Sequence, residues 1–119
     1  MLSKQYRLRN DKEIKALFKN SKSAFGICSI IKAKKNNLEN SRFAVIAGVK
    51  VSKKAVVRNK LKRQIRYIIK KHLDNIKSGF DVIIMIKKEA TQKTFKEIEE
   101  EIVISLKKIS LLWNGTVFL

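Results

Sequence analysis

The chain contains no proline, one cysteine, one histidine and only four glycines among 119 residues. Cys28 alone cannot form an intrachain disulfide, and one cysteine with one histidine leaves too few ligands for a multi-cysteine zinc site. We expect Cys28 to be a small buried residue in a strand. His72 falls on an apolar helical stripe, and the glycines form no phosphate-binding loop. The sequence therefore predicts no catalytic constellation within the protein.

Long hydrophobic runs are also missing. The longest, such as residues 43–49, fall far short of the roughly 20 residues that a membrane span needs. Residues 1–6 contain no apolar stretch of signal-peptide length. We therefore expect a cytoplasmic protein that does not bind membranes. The length predicts a single domain over 1–119, in which 110–119 form an apolar C-terminal tail.

Acidic residues are scarce relative to basic ones. Lys and Arg number 28 and Asp and Glu number 10, which gives a formal charge of +18. Residues 40–73 contain 11 Lys and Arg but no Asp or Glu. A polyanion is the expected partner of such a domain, because each phosphate that it neutralises releases counterions.

The hydrophobic patterns predict an α/β domain with helices packed on one sheet. Two helix starts carry capping boxes, Asn10 with Glu13 and Thr94 with Glu97. The predicted elements are a helix from Asn10 to about residue 20, strands at 23–33 and 42–51, a helix at 55–73, an interior strand at 80–86 and a last helix after Thr94.

The helix at 55–73 is apolar on one side and cationic on the rest. A projection at 100° per residue places Val57, Leu61, Ile65, Ile68 and His72 on the buried stripe. The same projection places Arg58, Lys62 and Arg66 on a neighbouring stripe, followed by Asn59, Arg63 and Lys70. An ordinary solvated face would alternate acids with these bases four residues apart. The pattern favours binding of DNA or RNA, whereas the glutamates at 97 and 99–101 are expected to serve solubility.

The run 54–66, Lys-Ala-Val-Val-Arg-Asn-Lys-Leu-Lys-Arg-Gln-Ile-Arg, resembles the signature of the bacterial ribonuclease P protein subunit. In outline that signature reads A-V-x-R-N-x-x-K-R-x-x-R. Further similarity lies at 6–10, 51–54, 80–84 and 94–98, and the resemblance covers about residues 5 to 109. It implies an α+β two-layer sandwich with a four-stranded sheet, the element order αβββαβα and a left-handed crossover around the signature helix.

The resemblance also implies a function. The protein would be a subunit of an endoribonuclease that binds the catalytic RNA and the 5′ leader of precursor tRNA. The RNA would carry out the magnesium-dependent hydrolysis that releases the mature 5′ end. Mg²⁺ would be bound mainly by the RNA, and the protein alone would require no cofactor.

Site residues are carried over from the family by position. The residues implied to bind RNA are Lys53, Lys54, Arg58, Asn59, Lys60, Lys62, Arg63 and Arg66. The residues implied to line the leader cleft are Ile14 and Phe18 on the first helix and Lys32 and Lys50 on strands. The family often has an aromatic residue where Ile14 and Lys32 stand.

Two other functions fit parts of the pattern. A ribosomal or ribosome-assembly protein would also bind RNA, without a role in processing. A DNA-binding regulator would place the basic helix in a major groove, but it would need a helix-turn-helix pair, and here strands flank the helix on both sides.

Overall fold

The computed structural model describes residues 4–19 and 21–111. Three α-helices and four strands account for most of them. They are α1 (Asp11–Leu17), β1 (Lys22–Phe25), β2 (Ser29–Lys35), β3 (Arg42–Ile46), α2 (Ala55–His72), β4 (Phe80–Ile86) and α3 (Phe95–Lys108). Of the predicted tail at 110–119, residues 112–119 lie outside the described part of the chain.

The four strands form one mixed sheet in the order β1-β2-β4-β3. β2 is antiparallel to both β1 and β4, whereas β3 runs parallel to β4. Parallel neighbours need a crossover, and α2 supplies it. The predicted α+β fold with the order αβββαβα is confirmed, and the handedness of the crossover stays a prediction.

Helices pack on both faces of the sheet. The main core lies on one face, where Ile31, Val82 and Ile84 of the central strands are buried together with Ile65 of α2 and Ile102 of α3. A smaller cluster lies on the opposite face, which we call the α1 face. There Leu17 of α1 packs with Ile83 and with Leu8 of the segment before α1. Phe25 of β1 and Ile46 of β3, which point to this face by register, are exposed, so part of the α1 face is open.

The sequence explains where the helices begin. The Asn10 side chain accepts hydrogen bonds from the backbone N–H groups of Lys12 and Glu13 at 2.9 and 3.2 Å, so the predicted cap of α1 is confirmed. Thr94 and Glu97 form the full reciprocal capping box of α3. On α2 the predicted stripe is confirmed, because Leu61, Ile65 and Ile68 are buried and Val57 and His72 are partly buried.

Two strand predictions were wrong in extent. The single strand expected at 23–33 is two strands that turn at Gly26, and Cys28 lies in the connection between them, buried but outside a strand. The strand expected to run from Arg42 to Val51 stops at Ile46. It stops there because Ile46 pairs with Met85 and β4 itself ends one residue later.

Candidate nucleic-acid interface

The cationic side chains of α2 lie along its exposed side. Asn59, Lys60 and Arg63 are exposed, while Lys62 and Arg66 are partly buried. Arg58 is also partly buried, and its guanidinium donates to the carbonyl oxygen of Ser52 at 2.7 Å. This bond fastens the first turn of α2 to the preceding loop, in which Lys53 and Lys54 are exposed. All eight predicted RNA-binding residues thus lie on α2 or in the loop that leads into it.

Arg66 connects α2 to the α1 face of the sheet. It lines a cavity of about 420 Å³ together with Ile14 of α1 and residues of β3. The full lining consists of Arg7, Leu8, Arg9, Ile14, Phe43, Ala44, Val45, Ile46 and Arg66. The cavity therefore combines apolar side chains, such as Ile14 and Ile46, with three arginines, which suits an extended single strand with bases and phosphates.

An ion-pair network fixes the position of α1 above the sheet. Arg42 of β3 donates to Asp81 of β4 through Nε and Nη2 at 2.9 and 2.8 Å. The same Nη2 lies 2.6 Å from Oε2 of Glu13 on α1. These bonds, first that to Asp81 and then that to Glu13, raise the pKa of the Arg42 guanidinium above its ordinary value. Arg42 thus connects α1 to two strands. The Glu13 carboxylate binds Arg42 and does not complete the predicted capping box of α1.

The predicted cleft residues on α1 and β2 share the α1 face. Ile14 is partly buried against the cluster around Leu17, and Phe18, the C-terminal cap of α1, is 47% exposed. Lys32 of β2 pairs in register with Ile83, which belongs to the same cluster. Its ammonium donates to Ser23 Oγ at 3.1 Å and lies 5.9 Å from the centre of the Phe25 ring.

The placement of Lys50 on a strand was wrong. Lys50 is exposed in a turn that follows β3, where the N–H of Val51 donates to the carbonyl of Gly48 at 3.0 Å. It is not among the residues that line the cavity beside Arg66. The contact of Lys50 with a leader stays a prediction, although Lys50 lies in a loop and not on a strand.

Three glutamates of α3 accept hydrogen bonds within the protein. Glu99 accepts from His72 at 2.8 Å and from Lys71 at 3.0 Å, and these two bonds, His72 first, hold its pKa below the ordinary value. Glu97 caps its own helix, and bonds from Thr94 lower its pKa. Glu101 accepts from the backbone N–H groups of Ile27 and Cys28. Glu99 and Glu101 are thus bound within the fold, and Glu97 forms the capping box that the sequence predicts. That the cluster serves solubility stays a prediction.

Neither Cys28 nor His72 is arranged as a nucleophile with a base. Burial, and then the negative charge of Glu101, raise the pKa of the Cys28 thiol, which keeps it protonated near neutral pH. Within residues 4–19 and 21–111, no group of three or more His, Cys, Asp or Glu side chains is placed to hold a metal ion. Of the helices in the same ranges, none is both long enough and apolar enough to cross a membrane.

Sequence reasoning missed several residues of this surface. Arg7 and Arg9 line the cavity because the segment before α1 is extended, with a bridge between Arg7 and Phe43 and with Leu8 turned into the core. The alternation of Arg, Leu and Arg at 7–9 was a usable signal, since alternate residues of an extended chain face the same way. Phe25 was missed because the strand that carries it was merged with β2.

Fold and site define a class of small basic α+β domains in which a cationic helix borders an open sheet face. Comparisons with known proteins narrow this class. A family model described as Ribonuclease P matches residues 2–110. The ribonuclease P protein component of Syntrophomonas wolfei is 31% identical over 111 residues, which are 93% of this chain and 92% of that protein. That of Fusobacterium nucleatum is 34% identical over 80% of this chain and 88% of its own length.

The solved structures that resemble this chain are also RNase P proteins. The RNase P protein from Thermotoga maritima is 30% identical, with a TM-score of 0.80 over 87% of this chain and 97% of that one. The RNase P protein of Staphylococcus aureus, at 24% identity, shares the fold with a TM-score of 0.83 over 90% of this chain and 97% of that one. The chain belongs to the ribonuclease P protein component family.

Proposed function

We propose that this chain is the protein subunit of the endoribonuclease ribonuclease P and supports the removal of 5′ leaders from precursor tRNA in the cytoplasm. In this proposal the loop at 53–54 and the cationic side of α2 bind the catalytic RNA. The open α1 face binds the single-stranded leader. The RNA contains the catalytic centre, and the protein positions the substrate.

The observation that carries the proposal is the position of Arg66. This residue belongs to the cationic side of α2 and also to the wall of the cavity that Ile14 and Ile46 line. One continuous surface therefore offers cations for phosphates and, beside them, the apolar side chains of Ile14 and Ile46 for unpaired bases. Such a junction suits a protein that holds a structured RNA and a single strand emerging from it.

Magnesium enters the proposal as a cofactor bound mainly by the RNA. The described residues of the protein offer no cluster of acids for it. Glu13 on α1 and Asp81 on β4 are both occupied by Arg42. We therefore assign no residue of this chain to the metal.

Reconstitution tests the proposal. The catalytic RNA of a related bacterium is incubated with precursor tRNA at low magnesium, with and without this protein. We expect the protein to restore cleavage at the mature 5′ end, because its cations replace part of the charge screening that magnesium supplies. Substrates with and without a 5′ leader are compared in parallel, and we expect the protein to strengthen binding of the leader-bearing substrate more.

Two results would contradict the proposal. No effect of the protein on cleavage at any magnesium concentration would exclude a subunit role. Tight binding to ribosomal RNA combined with indifference to the leader would favour a ribosome-assembly protein instead. A catalytically inactive RNA variant, mixed with the wild-type protein, serves as the control that the chemistry belongs to the RNA.

A further inference from the structure

An apolar row crosses the α1 face from one edge of the sheet to the other. Phe25 of β1 pairs in register with Ile30 of β2, Ile30 with Met85 of β4, and Met85 with Ile46 of β3. Residues that pair directly across strands point to the same face, so these four side chains lie side by side. With strands about 4.8 Å apart, the row is roughly 14 Å long. Its ends are exposed, with Phe25 at 65% and Ile46 at 37%.

Each end of this row has cations beside it. At the β3 end, Ile46 lines the cavity whose walls include Arg9 and Arg66. At the β1 end, the Lys32 ammonium lies 5.9 Å from the centre of the Phe25 ring, within the range of a cation–π attraction. Among residues 4–19 and 21–111, this ammonium makes one hydrogen bond, to Ser23 Oγ. An ammonium has three donors, so it can still bind a phosphate oxygen.

The backbone around Phe25 is held firmly. The Glu101 carboxylate accepts from the N–H of Ile27 at 2.8 Å and from the N–H of Cys28 at 2.9 Å. A Cβ on Gly26 would lie 2.5 Å from a Glu101 oxygen, so the close approach of this carboxylate requires glycine. Lys87 also donates to the Gly26 carbonyl at 3.1 Å. A ring on so constrained a backbone loses little conformational entropy when a ligand stacks on it.

We propose that Phe25 and Lys32 form a nucleotide subsite for single-stranded RNA, in which a base stacks on the ring and the ammonium binds the adjoining phosphate. The subsite rests on the proposed function, since it extends the leader-binding face to β1. An aromatic platform with a neighbouring cation is the usual arrangement for an unpaired nucleotide. The groove on the far side of Phe25 is lined by four glutamates, at 89, 97, 100 and 101, and by Lys87 and Lys108. Its net charge is negative, so it disfavours phosphates relative to the sheet face.

Leader binding by Phe25 variants tests the subsite. Affinity of the reconstituted holoenzyme is measured for precursor tRNA and for mature tRNA with wild type, Phe25→Ala, Phe25→Leu and Phe25→Trp. The matched control is Ile104→Ala, which truncates another exposed apolar residue, 53% exposed on α3. We expect Phe25→Ala to weaken binding of the leader-bearing substrate roughly 5- to 150-fold, as loss of one stacked base does, and binding of mature tRNA little. Phe25→Trp should restore the affinity and Phe25→Leu should not.

A leader with a single abasic nucleotide, moved one position at a time, locates the stacked base. Wild type should lose affinity at one position, and Phe25→Ala should be insensitive at that position. Lys32→Gln should reduce the salt dependence of leader binding by about 0.7 in the log–log slope, the share of one phosphate contact on a single strand.

The outcomes separate the subsite from the proposed function. If wild type itself shows no preference for the leader, the proposed function fails. If wild type shows the preference and Phe25→Ala keeps it, as Ile104→Ala should, the subsite alone is overturned. Full rescue by Phe25→Leu would also overturn it, because it would reduce the contact to apolar area without stacking.

Discussion

Arg42 belongs to the acid-free stretch 40–73, yet its guanidinium is held inside the fold. Its side chain is 20% exposed and contacts two carboxylates, Asp81 at 2.8 Å and Glu13 at 2.6 Å. Asp81 also accepts from Asn36 at 2.9 Å, so each polar group in the network has a partner. The absence of nearby acids in the sequence correctly indicated a cationic surface, but it could not show which cations find acids from distant segments.

Replacement of Arg42 by Met should destabilise the protein and loosen α1. The change leaves Asp81, which is 7% exposed, without its cation, and we expect the free energy of unfolding to fall by roughly 2–4 kcal/mol. Glu13→Gln removes the more exposed partner and should cost at most about 1 kcal/mol. Urea denaturation followed by circular dichroism measures both. Equal losses for the two variants would show that Asp81 is not the main partner.

At the scale of elements, the contact between α2 and α3 is held in part by Glu99. It accepts from both Lys71 and His72 at the end of α2. Basic side chains in the last turn of a helix also offset the partial negative charge at its C-terminus. Lys71 and His72 therefore interact both with Glu99 and with the C-terminal end of α2. Because α2 packs on the core face and carries the cationic side, this contact contributes to the orientation of the surface that we propose to bind RNA.

The stability that Glu99 contributes should depend on pH. Its pKa is lowered from the ordinary value of 4.5 by the bonds from His72 and Lys71. A group with a lowered pKa stabilises the fold fully above its unfolded pKa, and the stabilisation is lost as the pH falls through the folded pKa. We expect Glu99→Gln to be less stable than wild type by roughly 1 kcal/mol at pH 6 and equally stable at strongly acidic pH.

Denaturation curves at fixed ionic strength from pH 6 down to pH 2.5 measure this difference. Glu100→Gln, on the same helix, controls for the loss of one negative charge. A difference between wild type and Glu99→Gln that stays constant over the whole range would mean that the bonded carboxylate is not what stabilises the contact.

The elements that depend on local signals were predicted well. The cap at Thr94 and the apolar run 82–86 of β4 are local features, and the structure places them as expected. The division between β1 and β2 was missed because the turn at Gly26 has no polar break in sequence. Glu101, more than 70 residues away, stabilises this turn. Such a contact cannot be read from a window of neighbouring residues.

In the candidate site, too, the features set by neighbouring residues could be predicted from the sequence, and those set by distant residues could not. The cationic stripe of α2 follows from helical periodicity alone, and the positions of Arg58, Lys62 and Arg66 agree with it. The apolar row from Phe25 to Ile46 depends on strand register across four strands. Register is set by the assembled sheet, so the sequence did not reveal that Phe25 and Lys32 share a face.

At the scale of the whole molecule, charge is distributed unevenly over the described surface. The exposed side of α2 presents cations with no acid on the same helix, whereas Glu97, Glu100 and Glu101 of α3 line a groove together with Lys108 and Ile104. A net charge of +18 attracts any polyanion at long range. Specific docking requires that one face of the protein make the phosphate contacts. An experiment can distinguish such contacts from the general attraction caused by the net charge.

Replacement of Arg58, Lys62, Arg63 and Arg66 by Ala should lower the salt dependence of RNA binding. Each phosphate contact contributes about 0.7–0.9 to the slope of log affinity against log salt concentration, so the fourfold variant should lose roughly three units. The control variant replaces four exposed lysines on or just before α3, Lys88, Lys96, Lys107 and Lys108, and removes the same net charge. Binding to the catalytic RNA is measured from 50 to 400 mM salt by filter retention, and circular dichroism checks folding because Arg58 also anchors the first turn of α2.

The two variants distinguish a binding face from a general electrostatic attraction. If α2 makes the contacts, the control should keep nearly the wild-type slope although its net charge has fallen by the same amount, because charges more than a Debye length from the phosphates are screened. Equal loss of slope in both variants would show that total charge governs binding. An unchanged slope in the α2 variant would refute the phosphate role of these four residues and leave the loop at 53–54 and the arginines near the cavity as the contacts to test.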